Sequence, residues 1–141
     1  MLKLKPFCQT AGLCGPASLK IVLAYYGVSV SESKIAKIAG ASKEKGAWLI
    51  KAAKHFGFQV FSKENSSPAD IKYFIKKKIP VIVDWFLEDD GHYSVAVDID
   101  KKILFWWTLL SEEKEGCQLR NFWGFGLISR ESLLKNQRIW F

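Results

Sequence analysis

Apolar residues recur three or four positions apart through the first half of the chain, a spacing that predicts amphipathic helices. Residues that start helices stand before these stretches. Four helices are therefore predicted, beginning at Cys14, near Ser31, near Gly46 and at Ser67. Glycines at positions 27, 40 and 57 are placed to end the first three. The fourth is marked by Ser67-Pro68-Ala69-Asp70, which supplies a cap, a proline in the first turn and an acid.

The pattern changes near residue 79, where β-branched and aromatic residues predict strands. Pro80 to Phe86 is typical of a buried strand. After a turn at residues 89 to 91, His92 to Asp98 alternates in polarity, and Ile103 to Phe105 is a third strand candidate. A shorter strand is expected earlier, at Phe58 to Phe61. Helices first and an antiparallel sheet second is the order of an α+β fold.

The composition is that of a globular protein, with 141 residues, 49% hydrophobic and 25% charged. The net charge is +7, but the lysines are scattered and no recognised motif accompanies them, so nucleic acid is not expected as a partner. No apolar stretch approaches the roughly 20 residues that a membrane span needs. The N-terminus lacks the apolar region of a secretory signal, which makes the cytoplasm the expected location.

Cys14 has the position of a catalytic nucleophile. A cysteine attacks as the thiolate, and the unpaired N–H groups of a helix N-terminus favour negative charge, so the pKa of Cys14 is expected to be lowered. His92, at the start of a strand, can serve as the base that removes and returns the proton. Gln9 can offer its side-chain amide to an oxyanion, beside the backbone N–H of Cys14.

The remaining cysteines and the second histidine have simpler interpretations. Cys8 and Cys117 are expected to be small buried hydrophobic residues, and no disulfide framework is expected in a reducing compartment. His55 is expected to be structural. No close pair of cysteines or histidines has the spacing of a zinc site, so neither a metal nor a cofactor is predicted.

Two motifs carry a resemblance to a known family. The run QTAGLCGPASL at residues 9 to 19, followed by the helix end Tyr25-Tyr26-Gly27, resembles the peptidase C39-like family, and GHYSVAV at residues 91 to 97 resembles its histidine motif. The resemblance spans about residues 6 to 105. It implies a papain-like fold, in which N-terminal helices carrying the cysteine pack on a C-terminal antiparallel β-sheet carrying the histidine.

The same resemblance assigns roles. It implies a peptide or protein substrate, with Cys14 as the nucleophile, His92 as the base and Gln9 as the oxyanion donor. The best-known members of the family form the N-terminal domain of exporters and cut leader peptides after a double glycine. That substrate is not carried over to this chain.

An acid expected in the family is missing. Members have an Asp, usually followed by Pro, at the end of the strand after the histidine strand, where it orients the imidazole. Here residues 103 to 108 read ILFWWT, without a carboxylate. Other aspartates are weak candidates: Asp98 lies about 20 Å from His92 along a strand, Asp100 is farther, and Asp84 is on the neighbouring strand.

Residues 106 to 141 form an atypical tail behind a core of residues 1 to 105. Four of the six tryptophans and all three arginines fall in this tail. One hypothesis is that the tail is read out of frame, because Trp-Trp-Thr at 106 to 108 is encoded TGG TGG ACN, which contains GTG GAC, the codons of Val-Asp. The alternative is a divergent but genuine tail.

Three functions stay open on these grounds. The first is a cysteine peptidase that cleaves peptide bonds through a thioester on Cys14. The second is a peptide-binding module of the same fold without turnover, which the missing acid favours. The third is another papain-like acyl transfer, such as transpeptidation. Without an orienting acid, weak or no activity is expected from this exact chain.

Overall fold

The computed structural model describes residues 2–41, 48–64, 66–87, 90–99, 104–106 and 138–140. The described helices all lie before residue 77 with one short strand among them, and the other described strands follow, which confirms the predicted α+β class. The elements are α1 Cys14–Tyr25, α2 Glu32–Ala39, α3 Leu49–His55, β1 Gln59–Phe61, α4 Pro68–Lys76, β2 Val81–Leu87, β3 Asp90–Ile99, β4 Leu104–Trp106 and β5 Arg138–Trp140.

The described strands form one sheet in the order β1-β5-β2-β3-β4. β2, β3 and β4 are antiparallel neighbours, so the predicted antiparallel sheet carrying His92 is confirmed. β5 extends it by pairing in parallel with β1 and with β2. Residues 138–140 of the tail therefore lie in the same sheet as the core, whereas residues 107–137 and 141 lie outside the described residues.

Local signals set the helix ends. α1 begins at Cys14 as predicted, and Gly27 follows it at φ 80°, a left-handed conformation that glycine adopts without steric cost. Ser67 and Asp70 form a capping box at the start of α4, in which each side chain bonds the other residue's backbone N–H. The third helix begins at Leu49, and the predicted positions 46 and 47 lie outside the described residues. The predicted turn at 89 to 91 is wrong for Asp90 and Gly91, which already belong to β3.

The core holds α1 against the sheet. Leu19, Val22 and Leu23 of α1 are fully buried, and the helix packs on β3. α4 also packs on β3. In the middle of β2 and β3 consecutive residues are buried, which requires cover on both faces of the sheet because side chains alternate along a strand. This packing brings the N-terminus of α1 to the strand that carries His92.

Candidate active site

The sulfur of Cys14 lies at the N-terminus of α1. Leu13 precedes the helix and supplies no side-chain cap, which leaves the N–H groups of the first turn available. The sulfur accepts hydrogen bonds from the backbone N–H groups of Cys14 itself and of Gly15, and a third from the N–H of Tyr93 on β3. The thiol is a free one and is partly exposed. A helix end and a strand thus converge on one sulfur atom.

Burial decides the pKa of this thiol. Removal from water raises the pKa of Cys14 above its ordinary value of 9.0, and the charge of Asp84 adds to that rise. The three backbone N–H groups act in the opposite direction, but their combined effect is smaller. The predicted lowering of the Cys14 pKa is therefore wrong, because tertiary packing takes water away from the sulfur at the same helix end that was expected to stabilise the thiolate.

The backbone beside His92 takes part in the same contact. The N–H that Tyr93 donates to Cys14 belongs to the peptide unit joining Tyr93 to His92. A backbone N–H points sideways from its strand, so the sulfur lies beside β3. The His92 side chain is half-buried, and burial lowers the pKa of its imidazole below the ordinary 6.5. At neutral pH the imidazole is therefore in the uncharged form that a general base requires.

Gln9 lies on the segment that leads into α1. The residue is 5% exposed. The chain then turns back between Thr10 and Leu13, whose N–H donates to the Thr10 carbonyl over 2.9 Å, with Gly12 at φ 76°. Cys14 follows this turn directly, so only the turn separates Gln9 from Cys14 along the chain. The structure brings Cys14 and the peptide unit of His92 into contact and places Gln9 just before the adjoining turn; their catalytic roles stay predictions.

Sequence reasoning missed two side chains here. Glu32, in the first turn of α2, is buried and accepts hydrogen bonds from Thr10. An acid in that position is ordinarily a surface residue that complements the helix dipole, so nothing in the local sequence indicated its burial. Tyr93 donates a hydrogen bond to Asp84 near the thiol, and the Tyr93 pKa is raised to about 12, first by burial and then by the charge of the half-buried Asp84 carboxylate.

Other predicted residues lie apart from this site or outside the described residues. His55 is exposed at the end of α3, where its ring meets that of Phe56 edge-on at 5.4 Å. Cys8 is exposed, so its prediction as a small buried hydrophobic residue is wrong. Cys117 and Asp100 lie outside the described residues. Within the described part of the chain, no cluster of His, Cys, Asp and Glu could hold a metal ion, and no helix is long and apolar enough to span a membrane.

Comparison with known proteins identifies the family. The model of the Peptidase C39 family matches residues 7–106, which include Cys14, His92 and Gln9. The chain belongs to the peptidase C39 family. The match ends at Trp106, within β4. The family resemblance carried by the two motifs is thereby confirmed. A comparison with curated proteins gives no match.

Two solved structures have a similar fold. One is the peptidase domain of Streptococcus ComA, a bifunctional ABC transporter involved in quorum sensing, with 24% identity and a TM-score of 0.59 over 75% of this chain and 77% of that chain. The other is a double-glycine-motif protease from an AMS/PCAT transporter in complex with its leader peptide, with 26% identity and a TM-score of 0.58 over 74% and 72%. The predicted papain-like C39 fold is confirmed by both.

Proposed function

We propose that this chain is a cysteine peptidase that cleaves peptide bonds, with Cys14 as the nucleophile, His92 as the base and Gln9 as the oxyanion donor. One observation carries the proposal: the Cys14 sulfur lies at the start of α1 and accepts the N–H of the peptide unit that follows His92. Membership of the peptidase C39 family supports the same reaction class.

The pKa directions support a neutral resting pair. Burial raises the pKa of the Cys14 thiol and lowers that of the His92 imidazole, so a thiol and an uncharged imidazole coexist at neutral pH. In the attack, the imidazole takes the thiol proton as the sulfur bonds to the substrate carbonyl carbon. The carbonyl oxygen gains negative charge, which the Gln9 amide and the Cys14 N–H stabilise by donating hydrogen bonds.

Collapse of that intermediate completes the cycle. The C–N bond breaks, and the imidazolium returns its proton to the leaving amine, which leaves a thioester on Cys14. Water then attacks the thioester while His92 accepts its proton, and the thiol is regenerated as the acid product leaves. A leader peptide in which further residues follow a Gly-Gly pair is the first substrate to test, since the double-glycine-motif protease of similar fold was captured with its leader peptide.

A peptide-binding module without turnover is the second candidate. It is favoured by the raised pKa of Cys14 and by β4, whose residues Leu104–Trp106 include no carboxylate to orient an imidazole. Such a module would bind the peptide and leave it intact.

One experiment separates the two candidates. Wild type, Cys14→Ala, His92→Ala and His55→Ala are incubated with a leader peptide carrying Gly-Gly, and the products are identified by mass spectrometry. Cleavage by wild type and His55→Ala, lost in Cys14→Ala and His92→Ala, supports the peptidase. Peptide binding without cleavage in wild type supports the module. Cleavage that survives in Cys14→Ala contradicts the peptidase as proposed.

A further inference from the structure

Glu32 carries a buried carboxylate that accepts hydrogen bonds from two donors of a single residue, Thr10. Glu32 lies in the first turn of α2 and is 7% exposed. The Thr10 N–H donates to Oε1 at 3.1 Å and to Oε2 at 3.3 Å, and the Thr10 hydroxyl donates to Oε2 at 2.6 Å. The two residues are 22 positions apart, so this contact joins α2 to the turn before α1.

The hydrogen bonds from Thr10 to the Glu32 carboxylate are of a strong kind. Burying a charged carboxylate is costly unless hydrogen bonds replace the lost water. Hydrogen bonds to an ionised acceptor are shorter and about twice as strong as those between neutral groups, and both carboxylate oxygens are used here. Thr10 is therefore held at its backbone and at its side chain by a group fixed to the start of a helix.

The held residue stands between Gln9 and Cys14. The N–H that donates to Glu32 belongs to the peptide unit joining Gln9 to Thr10. The contact between Glu32 and Thr10 therefore fixes the backbone from which the Gln9 side chain departs. The carbonyl of Thr10 accepts a hydrogen bond from the N–H of Leu13, which connects Thr10 to the start of α1. Glu32 thus fixes one end of the turn whose other end carries the sulfur.

We infer that Glu32 is a positioning residue, which holds the Gln9 amide where the oxyanion forms beside Cys14. The inference rests on the proposed function and deepens it, because it assigns the support of the oxyanion donor to a residue that does not touch substrate. A displaced donor loses most of its value in the transition state, since its hydrogen bond must meet the charge where it develops. Loss of Glu32 therefore lowers kcat and leaves KM nearly unchanged.

The test is a double-mutant cycle on cleavage of the Gly-Gly leader peptide. Removal of one oxyanion donor costs about 10²–10³ in kcat, which is the expectation for Gln9→Ala. Glu32→Ala is expected to lower kcat by about 10-fold to 100-fold through the same donor, and Gln9→Ala with Glu32→Ala to be no slower than Gln9→Ala alone. Glu64→Ala, which removes an exposed carboxylate elsewhere, is the matched control.

A second pair of variants, at Thr10, tests the same inference if Glu32→Ala does not fold. Thr10→Val removes the 2.6 Å hydroxyl contact and keeps the shape, whereas Thr10→Ser keeps the hydroxyl. A lower kcat in Thr10→Val that is restored in Thr10→Ser supports the inference. Additive losses in the cycle, or unchanged kcat in Glu32→Ala and Thr10→Val while Gln9→Ala is impaired, overturn it and leave the peptidase intact. A wild type with no Cys14-dependent cleavage overturns both.

Discussion

The hydroxyl of Tyr93 donates a hydrogen bond to the carboxylate of Asp84, its direct partner across the β2–β3 ladder. Residues opposite each other in an antiparallel pair share a face, and neighbours along a strand alternate. His92 is opposite Trp85 and so belongs to the other face of the ladder. Asp84 therefore acts on Cys14 and Tyr93, whose pKa values it raises, and its register does not favour it as the acid that orients His92.

Asp84→Asn is expected to lower the pKa of Cys14. The substitution removes a negative charge that disfavours the thiolate, and it leaves an amide oxygen to accept the Tyr93 hydroxyl. The alkylation rate of Cys14 by iodoacetamide, followed against pH by mass spectrometry, should reach its midpoint at lower pH than in wild type. Asp98→Asn, the same charge change farther along β3, is the control. An unchanged or higher midpoint in Asp84→Asn would contradict the assignment.

The pH profile of cleavage should show an acid limb below pH 6.5. The His92 pKa is lowered by burial, so the base stays uncharged until the pH falls below its ordinary value. Burial raises the pKa of the Cys14 thiol above its ordinary 9.0, so the thiol is protonated at neutral pH and no thiolate–imidazolium pair is expected there. The profile of kcat/KM measures the first point, and thiolate ultraviolet absorbance of wild type against Cys14→Ala measures the second. A Cys14-dependent thiolate signal at pH 6 would refute the neutral pair.

The capping box of α4 predicts a stability change with pH. Asp70 has a pKa of about 2 against an ordinary 3.8, first because of its hydrogen bond with Lys63 and then because of those with Ser67. Its folded pKa is depressed, so its contribution is complete above pH 3.8 and is lost as the pH falls toward 2. Urea unfolding of wild type and Asp70→Asn should differ at pH 6 and converge near pH 2.

Ser67→Ala removes the other half of the box. Loss of a serine N-cap costs typically about 1 kcal/mol of stability. Because the two side chains bond each other's backbone N–H, part of that loss should disappear in an Asp70→Asn background. Equal losses in both backgrounds would show that the two caps act independently.

The end of α1 can be tested at Gly27. Its φ of 80° is left-handed, and a Cβ placed there would meet no atom within 4 Å, so a side chain is opposed by backbone strain alone. Gly27→Ala is expected to cost about 1–2 kcal/mol, and Gly27→Asn less, since Asn visits this conformation more readily. Unfolding by urea gives both values. Equal stability of wild type and Gly27→Ala would contradict the assigned backbone.

Local chemistry is what the sequence predicted well. Ser67 and Asp70, or Gly27, act within one turn of chain, so helix limits follow from a few neighbouring residues. The Cys14 pKa was misjudged because burial of the sulfur depends on how β3 packs against α1, which no local pattern contains. The Glu32–Thr10 contact spans 22 residues and was missed for the same reason. The turn expected before His92 failed because pairing with β2 carries the strand back to Asp90.

Residues 103 to 108 lack the Asp that the resemblance to the family implies. Residues 106 to 108 are encoded TGG TGG ACN, and a shift in frame gives Val-Asp there, in the place where the family pattern has its Asp. Translation of the gene in all three frames shows first whether Asp-Pro follows in that frame; its absence would dispose of the out-of-frame hypothesis.

If it is present, the chain made in the shifted frame is expected to cleave the leader peptide faster than the present chain. Loss of the orienting acid costs about 10⁴ in kcat in a serine enzyme. A smaller gain is expected here, because sulfur is intrinsically a better nucleophile than the serine oxygen. The control is the shifted chain with Asn at the restored position, which keeps the new tail and removes only the charge that fixes the tautomer of His92. A rate in that control equal to the restored chain's would assign the gain to the tail's packing rather than to the acid, and equal rates in all three chains would show that His92 works without one.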